Sequence, residues 1–407
     1  MNKKIILKKG KEASIVRKHP WVFSGAIQKM DNGIANGEIV QVIDFKNAIL
    51  GFGHYQMVGS ISVRMLQFGE EEFSENLFEE KFQKAFDLRK DLGIINKETN
   101  CYRLIHGEGD NLPGLIIDIY DKCAVVQCHS YGMFLSINTI HEALEAVYKG
   151  KLKTIFCKSA ATLYNDHSKE GDFFLKGDQT SAEVIENGHK FSVNWVEGQK
   201  TGFFLDQRDN RALVETLSKG KRVFNAFCYT GGFSVYALAG GARQVISIDS
   251  SLRAMDLVDF ARFPYPEKNH LVDQNILSNK FDGENHISKK SDVMEWLKIQ
   301  KDESFEMAIV DPPAYAKNHA HKHKASMAYR RLNAEALRTV KKGGFLLTFS
   351  CSQAIDNATF RSIVFAAGID SGRNIQILKN LSQGPDHPVN LYHPEGEYLK
   401  GLLLRVE

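Results

Sequence analysis

Nowhere in these 407 residues does an uncharged apolar run approach the ~18 residues that a membrane helix needs. No membrane span is therefore expected. The start of the chain, Asn2-Lys3-Lys4-Ile5-Ile6-Leu7-Lys8-Lys9, regains charge too soon for the apolar core of a secretory leader, so none is expected either. Cysteine is sparse: six residues, at 101, 123, 128, 157, 228 and 351, with no Cys-x-x-Cys pair. That density excludes a disulfide scaffold and makes a reducing cytoplasm the expected compartment. Internal repeats and low-complexity tracts are absent. What is present is ordinary globular composition, 43% hydrophobic and 25% charged, which excludes disorder, collagen and coiled coil. At roughly 100–200 residues per domain, the length implies two or three domains.

The net charge of +3 is too small to name a partner, but its distribution is uneven. Residues 1–21 hold Lys3, Lys4, Lys8, Lys9, Lys11, Arg17 and Lys18 against Glu12 alone. Beside Trp21 and Phe23, such a segment can contact phosphates and stack on bases. It can equally be a solvated face that keeps the protein soluble. Short apolar runs separated by turn signals, among them Asn32-Gly33, Asn36-Gly37, Gly51, Gly53 and Gly59, read as a small barrel. Residues 70–91 then show helical periodicity, with Phe78, Phe82, Ala85 and Phe86 on one face. Residues 100–195 read as α+β. They include a hairpin around Asp121-Lys122, a helix over 136–149, and a second hairpin turning at Asn187-Gly188.

From about residue 200 strands and helices alternate. The nearly continuous apolar strands 222–227, 244–249, 306–311 and 344–350 predict a parallel sheet covered on both faces. Such a sheet binds ligands beyond the carboxyl ends of its strands, so the polar residues there matter most. The first strand delivers Cys228-Tyr229-Thr230-Gly231-Gly232, which is neither Gly-x-Gly-x-x-Gly nor a Walker loop. A dinucleotide or triphosphate is disfavoured. Asp249 ends the next strand and can accept from both hydroxyls of a ribose, or simply cap the helix that follows. Asp311-Pro312-Pro313 closes a third strand, where the prolines stop the ladder and stiffen the backbone holding the carboxylate. Ser350-Cys351-Ser352 closes a fourth. A cysteine there can be a nucleophile, although buried cysteines are more often inert packing.

These stretches, with Arg17-Lys18-His19-Pro20-Trp21-Val22-Phe23, Lys200-Thr201-Gly202-Phe203-Phe204-Leu205-Asp206-Gln207-Arg208 and Pro394-Glu395-Gly396-Glu397-Tyr398-Leu399-Lys400-Gly401, carry a resemblance. The C-terminal half resembles class I S-adenosylmethionine-dependent methyltransferases. The whole chain resembles the RlmI-like family of 23S ribosomal RNA cytosine-C5 methyltransferases. The resemblance implies an α/β protein with a Rossmann-like methyltransferase sheet over 198–407. It also implies a PUA-like RNA-binding barrel over 1–72 and a central α+β domain over 73–197. It implies S-adenosyl-L-methionine as cofactor, ribosomal RNA as substrate, no membrane partner, and a homodimer as one arrangement open to the family. Phe203, Phe204, Asp206 and Arg208 match the approach to the cofactor pocket. Asn225, Ala226, Tyr229, Thr230 and Gly231 would line its methionine side. Asp249 would hold the ribose, Asp292 would face the adenine, and Ser250, Asp311 and Pro312 would also belong to the cofactor site. Cys351 is then the expected nucleophile and Asp311 the group that orients the base at N3.

Some residues depart from the family pattern or read plainly. Ala314 separates Pro313 from Tyr315, which argues against chemistry on an exocyclic amine. Guanine-methylating relatives lack the cysteine of Ser-Cys-Ser, so Cys351 favours cytosine. Segment 259–272 looks like an insertion. His319, His321 and His323 read as a basic RNA-facing loop rather than a metal site, since Lys322 and Lys324 would repel a cation. No metal is expected. Two other readings stand beside this one: methylation of guanine or another target, and a non-catalytic RNA-binding assembly factor.

Overall fold

The computed structural model describes residues 2–69, 72–163, 171–250, 270–281, 283–316 and 319–407. Most of the segment 259–272 lies outside them. The chain divides into two compact units, Met1–Ala182 with Pro385–Gly396, and Glu183–Gly384 with Glu397–Glu407.

In the first unit, β1 (Lys4–Leu7), β2 (Trp21–Phe23), β3 (Ile27–Met30), β4 (Ile39–Ile43), β5 (Ile49–Tyr55) and β6 (Ile61–Phe68) form one sheet in the order β2-β6-β5-β4-β1-β3. Ile5, Leu7, Val22, Val40, Val42, Val63 and Met65 fill its core. Gly51 and Gly53 read as turn signals in the sequence, yet both lie inside β5. A Cβ would stand 2.1 Å from the Gln67 carbonyl oxygen at Gly51, and 2.3 Å from that of Arg64 at Gly53. These glycines permit close backbone approach by β6 rather than a reversal.

The same unit holds β7 (Cys101–His106), β8 (Leu115–Tyr120), β9 (Cys123–Cys128), β10 (Thr154–Lys158) and β11 (Asp172–Lys176), ordered β11-β10-β9-β8-β7. The β8–β9 hairpin turns at Asp121, whose φ is +55°, as its Asp-Lys turn implies. Helices Leu77–Asp91 and Ile137–Tyr148 bury Phe82, Ile140 and Leu144 against this sheet. Segment Pro385–Gly396 joins the unit from far along the chain. Arg89, fully buried, makes a bidentate pair with Asp110 at 2.6 and 2.7 Å and donates to the Asp386 carbonyl at 2.8 Å.

The hairpin of β12 (Ser181–Glu186) and β13 (His189–Asn194) lies across the start of the second unit, which opens at Glu183. Its main sheet has seven strands: β14 (Arg222–Ala226), β15 (Gln244–Asp249), β16 (His286–Lys290), β17 (Phe305–Val310), β18 (Val340–Ser350), β19 (Ile375–Leu381) and β20 (Lys400–Val406). They run in the order β16-β15-β14-β17-β18-β20-β19. The five strands from β16 to β18 are parallel, as the apolar runs predict. The two C-terminal strands add antiparallel, β20 pairing with both β18 and β19. Phe224 stacks on Trp296 and Phe305 at 4.7 and 5.4 Å beneath the sheet. Ala226 is in register with Ile248 and Val310, and Val310 with Thr348. The residues just past those positions therefore emerge along one edge. Strand order reverses between β14 and β17, which makes that edge the ligand crevice of a doubly wound sheet. No helix among the described residues is long and apolar enough to cross a membrane.

Candidate active site

The loop after β14 is bent in a way that side chains resist. Phe227, Tyr229 and Gly231 have φ of +58°, +45° and +79°. Left-handed backbone costs a non-glycine residue roughly 1–2 kcal/mol, so something must hold it. The Tyr229 N–H donates to Asp249 Oδ2 at 2.9 Å, and the Cys228 N–H to the Ile248 carbonyl at 3.2 Å. The Tyr229 hydroxyl donates to the Gly202 carbonyl at 3.2 Å and accepts from the Gln199 N–H at 2.9 Å. Phe204 packs edge-on against the same ring, centroids 5.2 Å apart. A Cβ on Gly231 would lie 2.6 Å from Val272 Cγ1, so glycine is needed there for space as well as φ. Thr230 is buried, and its carbonyl accepts from Asn275 at 2.7 Å.

Asn225, near the end of β14, is aimed by a buried polar chain. Its Nδ2 donates to Ser234 Oγ at 2.8 Å. Ser234 meets Ser247 at 2.7 Å, Ser247 meets His286 Nε2 at 2.8 Å, and His286 Nδ1 lies 3.2 Å from Asp273 Oδ1. With Nδ2 committed, Asn225 Oδ1 is left buried with no donor among the described residues. Asp206 is similar. Its Oδ2 accepts from the Tyr398 hydroxyl at 2.6 Å, while Oδ1 is buried and finds no donor among them.

Asp206, Asp311 and Cys351 converge at the crevice. Gln207 donates to Asp311 Oδ2 at 3.0 Å and is held in turn by Asn210 at 2.6 Å. Cys351 Sγ lies 3.9 Å from the Pro312 carbonyl oxygen. Cys351 is half-buried, whereas the other five cysteines are buried. Desolvation, with the neighbouring Asp206 carboxylate, raises the Asp311 carboxyl to about 7, against the hydrogen bond from Gln207 and the charge of Arg211. Desolvation and the Asp311 and Asp206 charges push the Cys351 thiol up to about 12, while Lys400 pulls it down.

A raised carboxyl pKa has a consequence for stability. Between its ordinary value of 3.8 and about 7, the folded protein keeps a proton on Asp311 that the unfolded chain releases. Stability therefore falls as pH rises through that window, by at most about 1.4 kcal/mol per pH unit from this group. Asp311→Asn should flatten that slope, which thermal unfolding of the free protein from pH 4.5 to 7.5 measures.

The other residues singled out in the sequence have the following surroundings. Phe203 is buried, 4.9 Å from the Phe191 ring, with the Arg211 guanidinium 4.6 Å from its own. Arg208 Nε is 3.4 Å from Glu186. Both belong to the buried network around Glu186 and Arg211. Asp292 caps helix Val293–Lys298, accepting the Glu295 N–H at 2.9 Å. Ala226 is buried in the ladder and Pro312 is buried beside Asp311, while Ser250 is exposed. His319–His321 form a single helical turn leading into helix Lys322–Thr339. Among the described residues no group of three His, Cys, Asp or Glu is placed to hold a metal ion.

Sequence reasoning assigned no role to Gln207, Asn210, Glu186 or Lys400. Gln207 and Lys400 stand in quoted motifs, and Lys400 is also the lone charge in the apolar run Leu399-Lys400-Gly401-Leu402-Leu403-Leu404.

The donor chemistry suits S-adenosylmethionine. Its ammonium, ribose hydroxyls and adenine amine are donors, and Asn225 Oδ1, Asp206 Oδ1 and Asp249 are acceptors on or next to the crevice. The Asp206 carboxylate beside Asp311, which raises the Asp311 carboxyl, also favours a cationic ligand.

Comparison with known proteins agrees. The S-adenosylmethionine-dependent methyltransferase family matches residues 166–390, and a PUA-like domain matches residues 5–68. Proteins named ribosomal RNA large subunit methyltransferase I from Tolumonas auensis, Vibrio parahaemolyticus and Escherichia coli K12 are 36%, 37% and 35% identical to this chain. Each alignment covers the whole of both chains. The chain belongs to the ribosomal RNA large subunit methyltransferase I family. Like that family it is an S-adenosylmethionine-dependent enzyme. The fold agrees with that of a candidate SAM-dependent methyltransferase from Streptococcus mutans, TM-score 0.81 over 99% of this chain and all of that one at 21% identity. A second structure, a methyltransferase complexed with SAH, matches at the same TM-score with 22% identity.

Within this family site, Asp249→Ala should weaken S-adenosylmethionine binding roughly ten- to a hundredfold, the worth of about 1.5–3 kcal/mol of charged hydrogen bonding. Asp249→Asn keeps an acceptor for the Tyr229 N–H and should lose less. Titration calorimetry separates the two.

Proposed function

We propose that this methyltransferase acts on C5 of a cytosine in large-subunit ribosomal RNA, with Cys351 as nucleophile. The observation that carries the reading is the meeting of Cys351 and Asp311 at the crevice, with Sγ 3.9 Å from the carbonyl of Pro312. An amine target needs no cysteine there, whereas cytosine C5 does, because it is a poor nucleophile. S-adenosylmethionine would supply an electrophilic methyl group. The thiolate of Cys351 would add to C6, and the C5–C6 π electrons would become available at C5. A carboxyl that holds its proton to about pH 7, as Asp311 does, is suited to donate to N3 and accept that charge shift. Once C5 bears the methyl group, its proton leaves to a base, the S–C6 bond breaks, and the thiolate is restored. A paired cytosine would first have to leave its helix.

The basic segment 1–21 and the relatives' names support RNA as substrate, and the same names make the cytoplasm the natural setting. The test is direct. Protein and labelled S-adenosylmethionine are incubated with ribosomal RNA from cells lacking the enzyme, and the digested nucleosides are identified. 5-Methylcytidine is the expected product; a methylated guanosine or adenosine would overturn the reading.

A further inference from the structure

Lys400 is a buried cation at the site without a counter-ion. It is the first residue of β20 and pairs across the ladder with Ser350, the last residue of β18. Its ammonium donates to the Ser352 carbonyl at 2.8 Å and to the Tyr398 carbonyl at 2.6 Å. The charge thus rests on the turn Ser350-Cys351-Ser352 while only 2% of the residue is exposed. No carboxylate among the described residues lies within ion-pair distance of it. The acids nearest in its field have other partners: Glu397 accepts from Asn357 at 2.8 Å, and Asp356 caps the following helix through the Thr359 N–H at 2.7 Å. A buried charge held only by neutral carbonyls is costly, and a hydrophobic residue would fill a strand end more cheaply. The arrangement makes sense if a negative charge forms beside it during turnover.

We propose that Lys400 is a positioning residue that holds the Cys351 turn and supplies the positive charge against which the Cys351 thiolate forms. The proposal rests on the reading of Cys351 as nucleophile and extends it to the group that makes the thiolate accessible.

The surrounding charges show why such a group is needed. From the end of β17 comes Asp311, from the segment before helix Arg208–Leu217 comes Asp206, and from helix Lys322–Thr339 comes Tyr329. Both acids disfavour a thiolate, and Lys400 is the cation that opposes them. Burial in turn brings the Lys400 ammonium down to about 8, against Cys351, Glu397 and Asp356, which raise it. The serines on either side fix the turn. Ser352 Oγ meets the Tyr329 hydroxyl at 2.9 Å and accepts the Ala316 N–H at 3.3 Å.

The test reads the thiol itself and needs no RNA. Iodoacetamide alkylation is followed at Cys351 by peptide mass spectrometry from pH 7 to 9.5, in the full chain and in Lys400→Met, Lys400→Gln and Lys400→Arg. A thiol pKa higher by one unit cuts the thiolate tenfold and returns part of that as intrinsic reactivity, for a net fall of roughly threefold. Lys400→Met and Lys400→Gln should therefore alkylate at least about threefold more slowly near pH 7, the gap narrowing above pH 8 as the wild-type ammonium loses its proton. Lys400→Arg, which keeps the charge, should stay near wild type. Gln retains an N–H donor for the carbonyls, so it stands in if the Met variant fails to fold, as judged by thermal unfolding and S-adenosylmethionine binding. A Gln or Met variant that alkylates at the wild-type rate overturns the proposal, as does an Arg variant as slow as Gln. A failure of the nucleophile reading looks different: Cys351→Ala would still methylate cytosine, whatever the alkylation rates.

Discussion

Cys351→Ala is expected to lower methyl transfer to cytosine at least about a thousandfold while leaving S-adenosylmethionine affinity within a few-fold of wild type. The first half follows from the proposed chemistry. Without covalent addition at C6, C5 has no electron pair to offer, and the remaining groups only position the reactants. The second half follows from placement. Cys351 leaves β18, whereas the acceptors suited to the cofactor come from β14, β15 and the segment before helix Arg208–Leu217. Cys351→Ser should fail almost as completely, because a hydroxyl in the field of Asp311 and Asp206 ionises far less readily than a thiol. Single-turnover assays with labelled cofactor, beside calorimetry on the same preparations, measure both halves. Substantial 5-methylcytidine from Cys351→Ala would remove the cysteine from the mechanism.

Glu186→Ala should be the most destabilising single change in the second unit. Glu186 is fully buried and accepts from Arg211 Nε and Nη2, both at 2.8 Å, and from the Tyr236 hydroxyl at 3.0 Å. Arg208 is 3.4 Å away. Removing the carboxylate leaves two buried guanidiniums facing each other across a cavity. Breaking a buried pair from one side costs about 3–5 kcal/mol, and here two cations are stranded. For a unit of this size that is a fall in Tm of roughly 10 °C or more. A functional loss should accompany it. Arg211 also donates to the Phe204 carbonyl at 2.9 Å and lies 4.6 Å from the Phe203 ring, so it anchors the strap that delivers Asp206 and Gln207 to the crevice. Weaker S-adenosylmethionine binding well below the melting transition would show that the strap has loosened. A Glu186→Ala protein with wild-type Tm would mean that the arginines find other partners.

Glu186 also shows what one-dimensional reading misses. It lies in a hairpin whose turn, Asn187-Gly188, is plain in the sequence, but nothing there marks it as the partner of Arg211. The pairing forms because hairpin and helix are folded together, and low dielectric then makes it strong. The motif residues divide on the same ground. The placement of Asp249, Asp311 and Cys351 along one edge was legible because a parallel sheet puts the ends of its strands there, and strands of near-continuous apolar character are easy to find. Phe203 and Arg208, from the same motif as Phe204 and Asp206, also touch the buried network of Glu186 and Arg211. Neighbours in a turn point in different directions, and spacing alone does not say which way.

The sequence by itself determined the architecture of this protein. Its apolar strands require a parallel sheet, its glycine loop and strand-end acids point to a nucleoside-type ligand, and the absence of long apolar runs excludes a membrane helix. Tertiary structure decided three things that periodicity and motif cannot express. The antiparallel addition of β20 against β18 brings Lys400 to the turn of Cys351, because ladder pairing joins residues fifty positions apart. Segment Pro385–Gly396 packs into the first unit although it lies beyond most of the second, because Arg89 and the Arg103 N–H find their acceptors on Asp386. Gly51 and Gly53 serve a close strand crossing rather than turns. In each case the deciding force is burial of a polar or backbone group that must find its partner in space, and chain order does not record where that partner will be.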